Sequence, residues 1–171
     1  MAAPPDSDPW QDLFDRHAAG LILFARQWCR SHTDAEDAVQ EGFVRCWKSR
    51  ASADDPASYL FTCVKHAAMD HSRSASRRQR REEQAAAWRS ECDAPSLYET
   101  SEQDRERAAM IEQQLASLPA EQHEVLVMKL WGGLTFQQIA SALGAPANTV
   151  ASRYRYGLEA LRRSLPQEQV S

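Results

Sequence analysis

Glycine is scarce in this chain, at 6 of 171 residues, and lysine is scarcer, at 3. So little glycine excludes a collagen-like chain. Apolar residues at 43% and charged residues at 26% exclude a disordered one. No apolar run approaches the roughly 18 residues that a membrane span needs. Met1 to Pro9 is acidic and lacks the basic-then-apolar pattern of a secretory signal. A cytoplasmic protein with no membrane insertion is expected. Alternating β-branched runs are missing too, so strands are not expected.

The cysteines Cys29, Cys46, Cys63 and Cys92 form no Cys-x-x-Cys pair, and a reducing cytosol would keep them as thiols. Two Cys-x-x-His pairs exist, Cys29 with His32 and Cys63 with His66. They offer zinc-ligand types, but on separate helices and without a ligand-bearing turn. Cys46 and Cys63 read instead as small apolar residues on helix faces. Neither a metal nor a cofactor is expected. No Ser-His-Asp set, phosphate loop or paired-carboxylate site stands out, so the chain does not read as an enzyme.

What is present is charge in blocks. The net charge is −4, with 17 arginines among 20 basic residues. Residues 1–71 carry −4, residues 72–89 carry +4, residues 90–124 carry −7 and residues 125–171 carry +3. A net acidic chain does not favour unaided binding to nucleic acid, but its basic blocks allow local contact. Forked guanidinium groups suit phosphate and guanine, and a GC-rich coding sequence gives the same bias.

The chain reads as helical throughout, because Ala, Leu, Arg, Glu and Gln dominate. Asp8-Pro9 caps a first helix whose stripe is Trp10, Leu13, Phe14, His17, Leu21, Phe24 and Trp28. Thr33 to Glu36 reads as a capping box for a second helix. Its apolar face is Ala35, Ala38, Val39, Gly42, Phe43, Cys46 and Trp47. Acids at its start, Asp34, Glu36 and Asp37, suit the helix dipole or a basic partner surface. Ser49 to Asp55 is a polar loop. Asp55-Pro56 opens a third helix with Leu60, Phe61, Val64, Ala67, Ala68 and His71 buried. Another face of that helix carries Thr62, His66, Asp70, Arg73, Arg77 and Arg80, where phosphates could lie. Tyr59 at its start could stack on an unpaired base or pack at a core edge.

A polar, acidic stretch from Arg89 to about Gln103 reads as a linker. Ala108, Ile111 and Leu115 begin a second apolar pattern, and Leu118-Pro119 opens a helix through Leu126 and Leu130. Trp131 to Leu134 is a turn. Thr135 to Gln138 is a capping box, and Gly144 suits the left-handed end of a short helix. The last helix, about Ala147 to Leu165, turns Val150, Tyr154, Leu158, Leu161 and Leu165 inward. Short helix, glycine turn and long helix make a helix-turn-helix. Asn148, Thr149, Ala151, Ser152, Arg153 and Arg155 then lie toward a major groove, where Asn reads adenine and Arg reads guanine.

At this point the residues match a family. Asp34 to Trp47, DAEDAVQEGFVRCW, resembles the second conserved region of bacterial RNA polymerase sigma factors. Leu118 to Leu126, Gly133 to Ala140, Leu143-Gly144 and Asn148 to Arg153 resemble their fourth. Only these two regions occur, which resembles the extracytoplasmic-function group. The joint occurrence is far more specific than a lone helix-turn-helix.

The resemblance implies an all-α chain of two small helical domains: a region 2 bundle over 1–88, a flexible acidic linker over 89–106, and a region 4 helix-turn-helix domain over 107–171. It implies three partners: RNA polymerase core through its clamp helices and flap, promoter DNA, and an anti-sigma factor. Asp37, Gln40, Glu41, Phe43 and Trp47 would meet the polymerase. Tyr59, Lys65, His66, Asp70, Arg73 and Arg77, with the Ser49–Asp55 loop, would recognise and open the −10 element. Asn148, Thr149, Ala151, Ser152, Arg153 and Arg155 would read the −35 element. The chain departs from the family at Tyr59, where tryptophan is usual, and at Lys65-His66, where Arg-Asn is common. It departs again at Ala151, Tyr156 and Leu158, where basic residues are common, and at Pro146, where a serine cap is usual. Two other readings are a stand-alone helix-turn-helix regulator and a sigma-like mimic that sequesters an anti-sigma factor.

Overall fold

The computed structural model describes residues 8–49, 54–82 and 102–164. All regular structure among them is helical: α1 (Pro9–Ala25), α2 (His32–Lys48), α3 (Pro56–Glu82), α4 (Glu102–Ala116), α5 (Ala120–Leu130), α6 (Phe136–Leu143) and α7 (Ala147–Ser164). They divide between two compact units, Met1–Ala94 and Pro95–Ser171. Most of the expected linker, residues 89–101, lies outside the described residues, and α4 already begins at Glu102.

The first unit is α1 to α3. Asp8 caps α1 by accepting the Trp10 amide at 3.1 Å, with Pro9 in the first turn. The helix ends at Ala25, earlier than its apolar stripe suggests. The amides of Trp28 and Cys29 both bond the Ala25 carbonyl at 3.0 Å, so Trp28 lies in a turn. Its ring still meets Phe24 edge-on at 5.0 Å. The start of α2 corrects the sequence reading. Ser31, not Thr33, is the cap, and its hydroxyl accepts the Asp34 amide at 3.0 Å. Ser31 reaches the third helical amide from outside the helix, whereas Thr33 is already inside it. Asp55 accepts the Ser58 amide at 3.3 Å at the head of α3. That helix runs unbroken through the arginine-rich stretch to Glu82.

Leu21, Phe24, Val39, Leu60, Phe61 and Val64 are the large core residues of this unit. Phe61 is its hub, meeting Phe24 at 5.3 Å and His17 at 6.0 Å, both edge-on. The tightest contact joins α2 to α3. A Cβ on Gly42 would stand 2.6 Å from Val64 Cγ2, 2.7 Å from its Cα and 2.8 Å from its N.

In the second unit α5 is the inner helix, buried continuously from His123 to Met128. Burial on every side means that α5 is enclosed rather than laid against one neighbour. Two expected core residues are exposed instead: Leu130 at 47% and Ile111 at 39%. Leu130 stands in the last turn of α5, past the enclosed run. Thr135 and Gln138 form the full capping box of α6, at 3.1 and 2.8 Å. Gly144 closes α6 at φ 62°, and buried Val150 packs α7 back. Gly157, absent from the expected face of α7, lies directly on Leu126 of α5. Leu165 lies outside the described residues.

Two predictions follow from this packing. Gly42→Ala gains about 1 kcal/mol of helix propensity but drives a methyl into the Val64 backbone, a clash that costs about 1–3 kcal/mol or more. The net effect is loss, and chemical denaturation of the first unit should show a lower midpoint. Gly157→Ala meets the Leu126 side-chain end at 2.8 Å and should cost less. The second prediction concerns His123, whose Nε2 is buried without a partner and whose pKa burial pushes from 6.5 down to about 4. A depressed base stabilises the fold above its unfolded pKa, and that stability drains as pH falls from 6.5 toward 4. Between pH 7 and pH 5 the loss should be about 2 kcal/mol. Melts of His123→Leu at the two pH values should show a smaller drop than melts of the parent chain.

Candidate functional site

The outer face of α2 is a mixed stripe. Asp37, Gln40, Val44 and Trp47 recur every three or four residues and are all exposed, Val44 by 45% and Trp47 by 43%. Val44 was not among the expected residues. Its signal is an apolar side chain four residues beyond Gln40 and three before Trp47, on the face that also carries Asp37. Phe43 points elsewhere: it is half-buried, with its ring against Phe14 at 5.0 Å.

Glu41 stands at the edge of this stripe and is already engaged. It accepts from Arg45 and from His71 Nε2 at 2.9 Å. Arg45 reaches on to Asp70 at 3.2 Å, and Arg73 approaches Asp70 at 4.0 Å. The His71 hydrogen bond, then Arg45, holds the Glu41 carboxyl below its usual range. Glu41 in turn pushes the Arg45 guanidinium up. These side chains are about half exposed, so each pair contributes little alone, yet together they tie α2 to α3. Residues expected to serve the polymerase face and the DNA face thus share one network.

Of the expected stripe on α3, Thr62, His66, Asp70, Arg73 and Arg77 share one face, exposed from His66 onward, and the Arg80 side chain lies outside the described residues. Lys65 leaves it, with Nζ 5.6 Å above the Trp28 ring. Tyr59 is half-buried and hydrogen-bonds Cys63. Of the polar loop, residues 50–53 lie outside the described residues. The Cys-x-x-His pairs do not assemble: no group of three or more metal-ligating side chains stands together among the described residues.

On α7, Asn148 and Arg155 are exposed, with Thr149, Ala151 and Ser152 half-buried. The Ser152 hydroxyl is turned back onto the Asn148 carbonyl at 3.0 Å. Arg153 is 25% exposed and paired with Glu121 of α5 at 2.9 Å. The outward stripe is therefore Asn148, Ser152, Arg155 and Tyr156. Tyr156 is 54% exposed, and the Arg155 guanidinium lies 5.0 Å above its ring. Behind this stripe Tyr154 meets Phe136 at 5.4 Å, and Lys129 lies 5.0 Å over the same ring, fixing α7 to α6.

Comparison with known proteins agrees with this geometry. Residues 13–78 match the family Sigma-70 region 2, and residues 108–161 match Sigma-70, region 4. The ECF RNA polymerase sigma factor SigL of Mycobacterium tuberculosis is 32% identical, covering 97% of this chain and 94% of that protein. The ECF RNA polymerase sigma factor SigK of Mycolicibacterium vanbaalenii is 28% identical, over 96% and 86%. Two solved structures share the fold. One is the sigma factor RpoE of Bartonella quintana, crystallised with the anti-sigma factor NepR. It has TM-score 0.63 and 22% identity, and the match covers 93% of this chain and 97% of that one. The other is CnrH, in complex with the cytosolic domain of CnrY, with TM-score 0.64 and 21% identity over 94% and 89%. Two matched regions in the family's order, and relatives alike over almost their whole length, carry the conclusion: the chain belongs to the extracytoplasmic-function group of the sigma-70 family, the factors that start transcription with RNA polymerase.

Proposed function

We propose that this sigma factor divides its work between the two units, as a region 2 domain over 1–88, a linker over 89–106 and a region 4 domain over 107–171. Asp37, Gln40, Val44 and Trp47 meet the clamp helices of the polymerase core. Phe43 braces that face from behind through Phe14, and Glu41 sets its edge. Tyr59, His66, Arg73 and Arg77, with the loop after α2, take the −10 element, while Lys65 and Asp70 hold α3 in place. Asn148, Ser152 and Arg155 read the −35 element, with Thr149 and Ala151 lining the approach. Arg153 joins them only on leaving Glu121. The region 4 domain also meets the polymerase flap.

The observation that carries this reading is that helix faces stand exposed where the matched regions are expected to bind: the α2 and α3 stripes in the first unit and the α7 stripe in the second. The energetics agree. Unstacking a base costs a few kcal/mol, and one captured base returns about 1–3 kcal/mol. Opening therefore needs the polymerase as well, and the chain itself is a specificity subunit rather than an enzyme. The anti-sigma factor NepR bound in one solved neighbour supports a similar inhibitor here, with a cytoplasmic site of action. Among the described residues no helix is long and apolar enough to cross a membrane.

Run-off transcription with polymerase core tests the proposal. Adding the chain should produce new start sites. Trp47→Ala should weaken capture of the core. Arg155→Ala should lower promoter-specific transcripts by about 10-fold, the worth of one base contact. Arg153→Ala should cost less, since Glu121 holds that side chain. Palindrome binding by the chain alone would favour the stand-alone regulator. Binding to an anti-sigma factor with no new starts would favour the mimic.

A further inference from the structure

Beneath both faces of the first unit, two thiols meet. Cys46 of α2 is fully buried and Cys63 of α3 is 6% exposed. Their side chains interact, with Cys46 the donor and Cys63 the acceptor. They lie beside a close approach of the two helices, since Cys46 is one turn beyond Gly42 and Cys63 adjoins Val64. A disulfide needs its two backbones close together, and the missing Gly42 side chain supplies that closeness. The other described cysteine, Cys29, belongs to a different group, and burial pushes it up to about 11.

We infer that Cys46 and Cys63 form a peroxide-responsive dithiol, which on oxidation becomes a disulfide stapling α2 to α3. Cys63 is the attacking sulfur. The Cys46 thiol donates to it, the Tyr59 hydroxyl bonds it, and the Arg45 cation is near, all holding Cys63 down against burial. Cys46, as the donor, is pushed up. The Cys63 thiolate attacks one oxygen of hydrogen peroxide. The O–O bond breaks, hydroxide leaves and takes a proton as water, and Cys63 becomes a sulfenic acid. The Cys46 sulfur then attacks Cys63 Sγ. The S–S bond forms, the S–O bond breaks, and the hydroxyl departs as water with the Cys46 proton. Two thiols lose two electrons, and one peroxide becomes two waters.

The bridge rests on the packing of α2 against α3 and on the interaction of the two thiols, not on the proposed function. The full-length chain is reduced, treated with hydrogen peroxide, alkylated in denaturant and digested without reductant. Mass spectrometry should find the peptides of Cys46 and Cys63 joined, lighter by two hydrogens than their sum. Cys46→Ala, treated alike, should lack that species. The oxidised chain should melt several degrees higher, and dithiothreitol should reverse the gain. Recovery of both residues as alkylated thiols overturns the inference. So does over-oxidation of Cys63 in the parent chain, a bridge to Cys29 or Cys92 instead, or a lower melting point on bridging. Because none of these readouts involves polymerase, failure here is distinct from failure of the run-off assay.

Discussion

The meeting of Gly42 with the Val64 backbone fixes the geometry on which the first unit depends. Helices bearing ordinary side chains pack with axes about 8–10 Å apart. The buried residues of α2 are Val39 and the small Ala35, Ala38, Gly42 and Cys46, and those of α3 include Cys63, Val64, Ala67 and Ala68. This seam gains little from large side chains and much from close, extended contact. It also leaves no slack. A turn of α2 about its axis would drive Cβ atoms into α3, so the outer stripes of the two helices are held at a fixed angle. One stripe is proposed to meet the polymerase and the other to meet the opened strand. The seam makes them a single rigid piece.

The charge network around Arg45 belongs to the same frame. Glu41, Arg45, Asp70 and His71 bridge the two helices at the rim of the seam, where water weakens each pair. Their value lies in orientation more than in stability. A carboxylate committed to His71 and Arg45 cannot turn freely toward a partner, and Asp70 is likewise anchored. This accounts for the different standing of residues that the sequence grouped together. Asp37, Gln40 and Trp47 are exposed, whereas Glu41, Phe43, Lys65 and Asp70 are drawn toward Arg45, Phe14, Trp28 and their neighbours.

How far the sequence revealed this follows from the range of each interaction. Local signals were read correctly: Asp8-Pro9 at the first helix, the Thr135–Gln138 box, and Gly144 in the turn. The cap of α2 was misread because Ser31 and Thr33 both stand three residues before an acid, and only backbone geometry tells which of them lies outside the helix. Non-local pairings were out of reach. Nothing in the spacing of Arg153 shows that Glu121, 32 residues earlier, holds it. Nor does the stripe through Leu126 show that cover ends before Leu130. Apolar periodicity tells which side of a helix is greasy, but not how far along it a neighbour extends. The same limit hid Val44 and the contact between Cys46 and Cys63.

The second unit poses an electrostatic problem that its own structure helps to resolve. Residues 125–171 carry only +3, and −7 lies immediately upstream, so long-range attraction to DNA is weak. Arg153 is partly neutralised by Glu121, and Tyr156 presents an aromatic ring where a cation would serve a phosphate better. A helix so sparing of charge gains little from counterion release, so the proposed reading of DNA by α7 would rest on short-range fit at Asn148, Ser152 and Arg155. Alone, such a helix would bind too weakly to find a promoter. In the proposed function, a polymerase that already holds the duplex would deliver the same helix at high effective concentration, where weak contacts suffice to choose a site. The acid-rich residues 90–124 fit the same reading, because their charge opposes binding of the free chain to DNA at large.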